Sequence, residues 1–183
     1  FKMGDSVPPT ISTTLTKDFY AGVFEVTQRQ WELIIGANPS YFTNPTCYAT
    51  RPLEQRTYED IRGASTNAPS INWPSTGSTV ATNSFLGRLR TKTGLTGFDL
   101  PTEAQWEYLC RAGTTTYYSD GLGTPGNTTS NAQLDVLGRY KYNGGLYSSG
   151  TWPSSSCGST NGSATVGSYL PNNWGIYDTH GNV

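Results

Sequence analysis

The side chains with the strongest chemistry in this sequence are its three cysteines, Cys47, Cys110 and Cys157. An odd number of cysteines cannot pair completely within one chain. Trp106, Leu109 and Cys110 are spaced to share one buried helix face, so we expect Cys110 to be a buried, inert thiol. Cys47 and Cys157 both fall in loop-like stretches, where a disulfide between them and two free thiols both remain open. A soft-metal site needs converging Cys or His ligands, and the single histidine disfavours one.

Three other polar features are candidates for binding or catalysis. His180 is the only histidine, and because no Cys, Ser or second His adjoins it, we expect a structural hydrogen bond and not activation of a nucleophile. Glu25 precedes a predicted helix directly, and a structural hydrogen bond is again the expectation. The stretch 138–147, GRYKYNGGLY, combines Arg139 with three tyrosines and a glycine pair. It is either a ligand-facing aromatic surface or ordinary loop packing, and we favour packing.

A strand-to-helix junction is predicted near the beginning of the chain. Residues 10–26 alternate Thr, Leu, Phe and Val, which predicts one or two strands. Thr27 followed by Gln30 is a capping box, and it predicts a helix that ends at Gly36. Residues 37–73 contain four prolines and predict mostly loop.

Two further helices are predicted in the middle of the chain. The first spans about residues 79–93, where apolar side chains recur at helical spacing. The second follows Thr102, which forms another capping box with Gln105, and Gly113 is its expected C-cap.

The last 70 residues are dominated by Gly, Ser, Thr, Asn and Tyr. So long a stretch without regular structure is unusual in a compact domain. Either the segment is disordered, or bound cations and buried aromatic rings order it. Nine Tyr and Trp residues lie between positions 117 and 177, and they favour order because disordered tracts carry few large rings. We expect Trp174 and Tyr177 to pack.

Length and charge exclude several classes of protein. A chain of 183 residues suits one domain. The formal net charge is −1, without the basic cluster that a nucleic-acid groove requires. No apolar run approaches the ~18 residues of a transmembrane helix, so we expect no membrane insertion. A surface rich in Tyr, Thr, Ser and Asn but poor in Lys and Glu favours a secreted or periplasmic location.

Five segments carry a resemblance to a known family. They are FKMG at 1–4, FYAGVFEVTQRQW at 19–31, GANPSYF at 36–42, LPTEAQWEYLCRAG at 100–113 and TVGSYLPNNWGIYDTHGNV at 165–183. Each is similar to a motif of the formylglycine-generating-enzyme, or sulfatase-modifying-factor, family. Because the five occur in the family's order, the chain resembles that family from its first residue to its last.

The resemblance implies an α+β fold of the C-type-lectin-like kind, rich in loops. It also implies that residues 1–183 form a single domain without the C-terminal part of the family domain. Members bind calcium, which would order the glycine-rich half, and the residues at matching positions are Asn131, Gly181 and Val183. Calcium prefers hard oxygen ligands, which glycine-rich loops supply as carbonyls. The family's second calcium site also takes a Glu beyond Val183.

This sequence departs from the family pattern at a few places. Asp99 stands where the family usually has Arg, and Gln28 stands where Asn is usual. An insertion of about a dozen residues lies near 61–78. We expect none of these departures to change the fold.

The family's chemistry implies two functional alternatives. Its enzymes use a copper-binding cysteine pair and oxygen to convert a sulfatase cysteine to formylglycine. None of the three cysteines here stands at the matching positions, so we expect copper only if the full-length protein carries the pair. This chain is therefore predicted not to be catalytic. The alternative is a lectin-like module that binds or displays a ligand, such as a peptide, on its loop-rich face, as bacterial and phage receptor-binding proteins of this fold do.

Overall fold

Short helices joined by long loops build the fold, which the computed structural model describes over residues 1–4, 10–63, 79–122, 131–144 and 162–183. Strands β1 (Lys2–Met3) and β2 (Ile11–Ser12) pair antiparallel, with Lys2 opposite Ser12. The helices in these ranges are α1 (Gln28–Ile35), α2 (Tyr58–Arg62), α3 (Phe85–Thr93), α4 (Glu103–Arg111) and α5 (Leu134–Leu137), with a 3-10 turn at Tyr48–Thr50. This loop-rich mixture is compatible with the predicted fold class.

Threonine capping boxes start three of the helices. Both predicted boxes are confirmed: Thr27 and Thr102 accept the backbone amides of Gln30 and Gln105, whose side chains bond back. Thr57 forms a third box with Asp60 and starts α2, inside a stretch predicted to be mostly loop. Because the acceptor at that position was Asp and not Glu or Gln, the usual signature did not reveal it.

Two predicted helix boundaries were wrong. The second predicted helix begins at Phe85 and not near 79, because Ser84 caps it by accepting the amide of Gly87. The hydroxyl of Ser84 also donates to the Ala81 carbonyl at 2.7 Å, which fixes the turn before the helix. At the end of α4 the left-handed C-cap is Ala112, with φ 46°, and not Gly113.

Most of the strand predicted over residues 10–26 is also absent, since only Ile11–Ser12 of that range belongs to the sheet. The backbone of the remainder bonds to distant loops. The Val23 carbonyl accepts the Tyr177 amide at 3.0 Å, and the Val26 carbonyl accepts the Leu53 amide at 2.8 Å. These tertiary bonds replace a strand ladder.

The apolar core joins α1 to α3. The Trp31 ring stacks on the Phe85 ring, with centroids 4.6 Å apart and planes within 5°, and Leu86 completes the buried cluster. The expected buried face of α4 is only partly confirmed. Cys110 is buried, but the Trp106 side chain is 51% exposed, because no described element covers that side of the helix.

A buried ion pair accounts for Asp99, which stands where the family usually has Arg. The Arg62 side chain is fully buried and donates to both Asp99 oxygens, at 2.7 and 2.9 Å. Arg90 reaches the same carboxylate at 3.3 Å. The pair ties α2 to the segment before α4, and Asp99 supplies the charge that the buried guanidinium requires.

Side-chain amides organise the C-terminal loops. Asn172 donates to the Leu109 carbonyl at 2.7 Å and accepts the amides of Trp174 and Ile176 at 3.0 and 3.1 Å. The predicted packing of Trp174 and Tyr177 is confirmed. Trp174 packs against Tyr108 with ring centroids 4.9 Å apart, and Tyr177 packs against Phe24 at 5.0 Å.

Candidate functional site

A groove of about 670 Å³ lies where the loop after α1 meets the C-terminal loops. We call the lining residues within 41–56 the first wall of the groove and those within 139–144 its second wall. Ser163, Asn182 and Val183 also line the groove. The volume lies in the range of natural ligand sites.

Hydrogen bonds with two polar side chains, Glu54 and Gln28, shape the first wall. One oxygen of Glu54 accepts the amides of Tyr41 and Phe42, at 2.6 and 3.0 Å. Buried Gln28 donates to the Phe42 carbonyl at 3.2 Å. The Tyr41 and Phe42 rings meet edge to face, with centroids 5.2 Å apart. The wall is thus held in a defined conformation before any ligand binds.

The second wall belongs to the GRYKYNGGLY stretch, for which we favoured loop packing. Asn143 organises it by accepting the Tyr140 amide at 2.7 Å and donating to the Gly138 carbonyl at 2.9 Å. Arg139 is buried, donates to the Asn143 carbonyl and lies over the Tyr169 ring. Lys141 is exposed beside the groove. The stretch therefore packs and also lines a groove, while residues 145–147 lie outside the described ranges.

Ser163 and Asn182 also line the groove, and we refer to these two residues as its base. The Asn182 side chain accepts the Ala164 amide at 2.7 Å and donates to Glu25 at 2.8 Å. Ser163 is only 4% exposed, and its hydroxyl has no hydrogen-bond partner. A buried hydroxyl without a partner is costly unless something satisfies it.

Glu25 makes the structural hydrogen bond that the sequence predicted. Burial, followed by the negative charge of Asp178, raises the pKa of Glu25 from 4.5 to about 8, although the bonds from Asn182 and the Val183 amide partly offset the rise. Burial also raises the pKa of Asp178, whose Oδ2 accepts the Gly167 amide at 2.7 Å. Glu25 is therefore largely protonated at neutral pH, behind the base of the groove.

His180 borders a second, smaller pocket of about 280 Å³ beside α4. The structural hydrogen bond expected of it is confirmed, because the Ser119 amide donates to its Nε2 at 3.0 Å. The Ser119 hydroxyl lies 2.9 Å from the same nitrogen, a neighbour that sequence reasoning missed because it is 61 residues away. Burial lowers the pKa of His180. Its acceptor nitrogen is occupied by a backbone amide, which disfavours activation of Ser119.

The described cysteines carry no reactive thiol. Cys110 is free and buried, and its thiol donates to the Thr179 carbonyl at 3.4 Å. Burial raises the pKa of Cys110, so the nucleophilic thiolate is disfavoured. Cys47 is disulfide-bonded, whereas Cys157, its proposed partner, lies outside the described residues.

The three residues predicted to bind calcium lie in two places. Asn131 is buried; its Oδ1 accepts the amides of Gln133 and Leu134 at 3.1 and 3.2 Å, and its Nδ2 donates to Tyr118 at 2.6 Å. A cation at that oxygen would have to displace one of the amides. Gly181 and Val183 flank Asn182 at the groove. Among the described residues no three Asp, Glu, His or Cys side chains converge on a possible metal site, so ligands there would be mainly carbonyls.

Comparison with known proteins identifies the family. Residues 1–183 match the sulfatase-modifying factor enzyme 1-like domain, and the chain belongs to this family, as the five motifs predicted. Chaperone protein LppX from Paenibacillus barcinonensis is 30% identical over 199 residues. That alignment covers all of this chain and 66% of the relative, so the chain spans just under two thirds of the relative's length. No solved structure matches the chain.

Within the described ranges, the helices are all too short or too polar to cross a bilayer.

Proposed function

We propose that this domain is a non-catalytic binding module that holds a peptide in the groove between residues 41–56 and 139–144. The observation that carries the proposal is the preformed groove itself. Glu54 and Asn143 fix its two walls by bonding to backbone amides. The described cysteines supply no competing chemistry, since Cys110 is buried and Cys47 is disulfide-bonded.

The composition of the groove suits a peptide. Apolar and aromatic walls from Tyr41, Phe42 and Leu53 can take one or two side chains. The polar groups at its base can bond to the peptide's backbone or to a polar side chain. The relative LppX is named a chaperone, and this name is consistent with recognition of polypeptide.

The location that we propose is secreted or periplasmic. The disulfide bond of Cys47 supports it, because structural disulfides persist in oxidising compartments. Labelling the protein's cysteines in intact cells and after lysis tests the location. A reducible disulfide in protein isolated from cells is expected, and a fully reduced protein would contradict the proposal.

We also propose that calcium binds near Gly181 and Val183 through backbone carbonyls, with a structural role. The family resemblance suggests this site, and the Arg139 carbonyl lies close to Gly181 there. Thermal unfolding of the full-length protein in excess calcium and in EDTA tests it. A higher midpoint in calcium is expected, and identical midpoints would contradict calcium binding.

Peptide binding is tested with the full-length protein and a library of fluorescent peptides. Tyr41 lines the groove, whereas Tyr20 is fully exposed and lies outside it. For a peptide selected by the wild type, Tyr41→Ala should weaken binding roughly tenfold, as loss of an aromatic anchor does. Tyr20→Ala, the matched control, should bind like the wild type. Equal binding by both variants, or no binding by the wild type, would refute the groove as a peptide site.

Family membership supports one other candidate, an oxidase activity of the full-length protein. The described thiols do not fit copper, because Cys110 is buried and Cys47 is oxidised. The activity would therefore need a cysteine pair elsewhere in the protein. Incubation of the full-length protein with copper, oxygen and a sulfatase-type cysteine peptide tests it by mass spectrometry. An unchanged peptide is expected if the domain only binds.

A further inference from the structure

We infer that the groove selects peptides in which a carboxylate adjoins an apolar or aromatic side chain. This inference rests on the proposed peptide-binding function and adds the chemistry of the ligand. Two features of the groove carry it, namely the charge of its lining and the unsatisfied hydroxyl of Ser163.

The charge of the lining is predominantly positive. Among the described residues of the lining, the charged ones are Glu54, Arg56, Arg139 and Lys141. The carboxylate of Glu54 accepts two backbone amides, which fixes it in the wall. Arg56 lies 3.7 Å from Asp60, which is outside the groove. Buried Arg139 and exposed Lys141 lie two residues apart in the second wall, so the surface that faces a ligand is complementary to an anion.

A further guanidinium behind the first wall strengthens the positive potential. Arg51 is buried and lies over the Phe42 ring, 5.6 Å from its centroid. Burial and the nearby charge of Arg139 lower the pKa of Arg51, and the negative charge of Glu54 partly offsets this shift. Two cations that repel each other beneath one surface make it attractive to negative charge.

Ser163 offers a hydrogen bond from the base of the groove. Ser163 belongs to the same lining as Arg139, and its hydroxyl is buried without a partner. A hydroxyl can donate to a carboxylate oxygen, and such charge-assisted bonds are stronger than neutral ones. A carboxylate in the groove would thus give the Ser163 hydroxyl the hydrogen-bond partner that it lacks in the free protein.

The apolar part of the groove adjoins these polar groups. Tyr41, Phe42, Leu53 and Ile61 form it, and they can bury an apolar side chain next to the carboxylate. The combination favours an acidic residue beside a large apolar one, or a peptide C-terminus that ends in an apolar residue. A lysine-containing peptide would instead meet like charge.

Three matched peptides test this selectivity against the full-length protein. They share their apolar residues and differ only in one central Asp, Asn or Lys, each with an amidated C-terminus. A fourth carries the central Asn and a free C-terminal carboxylate. We expect the Asp peptide to bind roughly tenfold more tightly than the Asn peptide, and the Lys peptide to bind most weakly. Tight binding of the fourth peptide alone would assign the carboxylate to a chain end.

The results with these peptides distinguish selectivity for a carboxylate from peptide binding itself. Equal affinity for the Asp, Asn and Lys peptides, with no gain from a free C-terminus, would overturn the inference and leave peptide binding intact. If none of the four binds and the library also yields no ligand, the proposed function itself is refuted.

Two charge-reversal variants test whether the carboxylate of the peptide binds in the groove. Lys141→Glu should weaken binding of the acidic peptide roughly tenfold and should reduce its salt dependence. Lys17→Glu, an exposed residue outside the groove with the same change of charge, is the control and should bind like the wild type. Equal losses in both variants would indicate an effect of net charge and would overturn the inference.

Ser163→Ala isolates the hydrogen bond. It removes a hydroxyl that has no partner in the free protein, so the thermal midpoint should not fall. Affinity for the Asp peptide should drop roughly threefold to tenfold, while affinity for the Asn peptide changes less. An unchanged preference for Asp over Asn would show that Ser163 does not contact the carboxylate.

Discussion

The two walls of the groove come from regions that are stabilised in different ways. The first wall continues from α1, whose Trp31 packs in an apolar cluster with Phe85 and Leu86. The second wall belongs to loops in which polar side chains replace the apolar core. Asn143, Asn172 and Asn182 there bond to backbone groups. A loop-rich region can thus be well defined when side-chain amides satisfy its backbone.

The difference shows where each region is vulnerable. An apolar core loses stability in proportion to the volume removed from it. A network of hydrogen bonds between side chains and backbone loses stability when one side-chain amide that bonds to several segments is removed. Substitutions in the two regions should therefore differ in size and in how they depend on pH.

The largest effect is expected in the apolar core. Trp31→Ala removes a ring stacked at 4.6 Å on Phe85 and should lower the free energy of unfolding by about 4 kcal/mol. The control is Trp106→Ala, where the side chain is half exposed and the loss should stay below about 1 kcal/mol. Urea unfolding followed by circular dichroism measures both. Equal losses would contradict the placement of the core at Trp31.

A somewhat smaller loss is expected at the buried ion pair. Asp99→Asn leaves the fully buried Arg62 without its carboxylate and should cost about 3 kcal/mol. Asp18→Asn, at an exposed position, should be nearly neutral. If the Asp99 variant unfolds at the wild-type urea concentration, the Arg62–Asp99 pair does not hold α2 in place.

In the polar region the sensitive residue is Asn182. Asn182→Ala removes its bonds to Glu25 and Ala164 and places alanine at a φ of 99°. The expected cost is about 2 kcal/mol. Asn173→Ala, at an exposed site nearby, is the matched control. If only Asn173→Ala lowered the free energy of unfolding, Asn182 would not be the residue that organises the polar region.

The last prediction concerns how the stability of the fold depends on pH. Because the pKa of Glu25 is raised from 4.5 to about 8 in the folded protein, its contribution to stability is fully present below pH 4.5. That contribution is lost as the pH rises towards 8. Glu25→Gln mimics the protonated group and should flatten the decline, with the remaining slope due to Asp178, whose pKa is also raised.

Urea midpoints measured between these two pH values test this prediction, with Glu59→Gln as an exposed control. A decline in the Glu25 variant as steep as in the wild type would mean that Glu25 does not carry the pH dependence.

Local signals in the sequence predicted the helical region better than the loops. Capping boxes at Thr27 and Thr102 depend on residues three apart, and the structure confirms both. The strand expected over 10–26 failed because its backbone bonds to Leu53 and Tyr177, partners that no local pattern specifies. Because the loops lack periodicity, only the family motifs predicted a fold for them, and the loop-rich structure is compatible with that prediction.

Prediction of the groove was similarly limited. The composition of the stretch that contains Arg139 and Tyr140 favours loop packing and does not by itself indicate a groove. Its opposite wall at Tyr41 and Phe42 is about a hundred residues away in sequence. The burial of Ser163 without a partner depends on tertiary structure alone. Only the assembled fold brings these segments to one surface.

The most direct test of the account is amide hydrogen exchange of the full-length protein, with and without a peptide selected by binding. Amides of residues 41–56 and 139–144 should exchange more slowly when the peptide is bound. Residues 103–122, which border the smaller pocket beside His180, should exchange at the same rate in both states. Protection confined to 103–122 would contradict the assignment of the groove as the binding site.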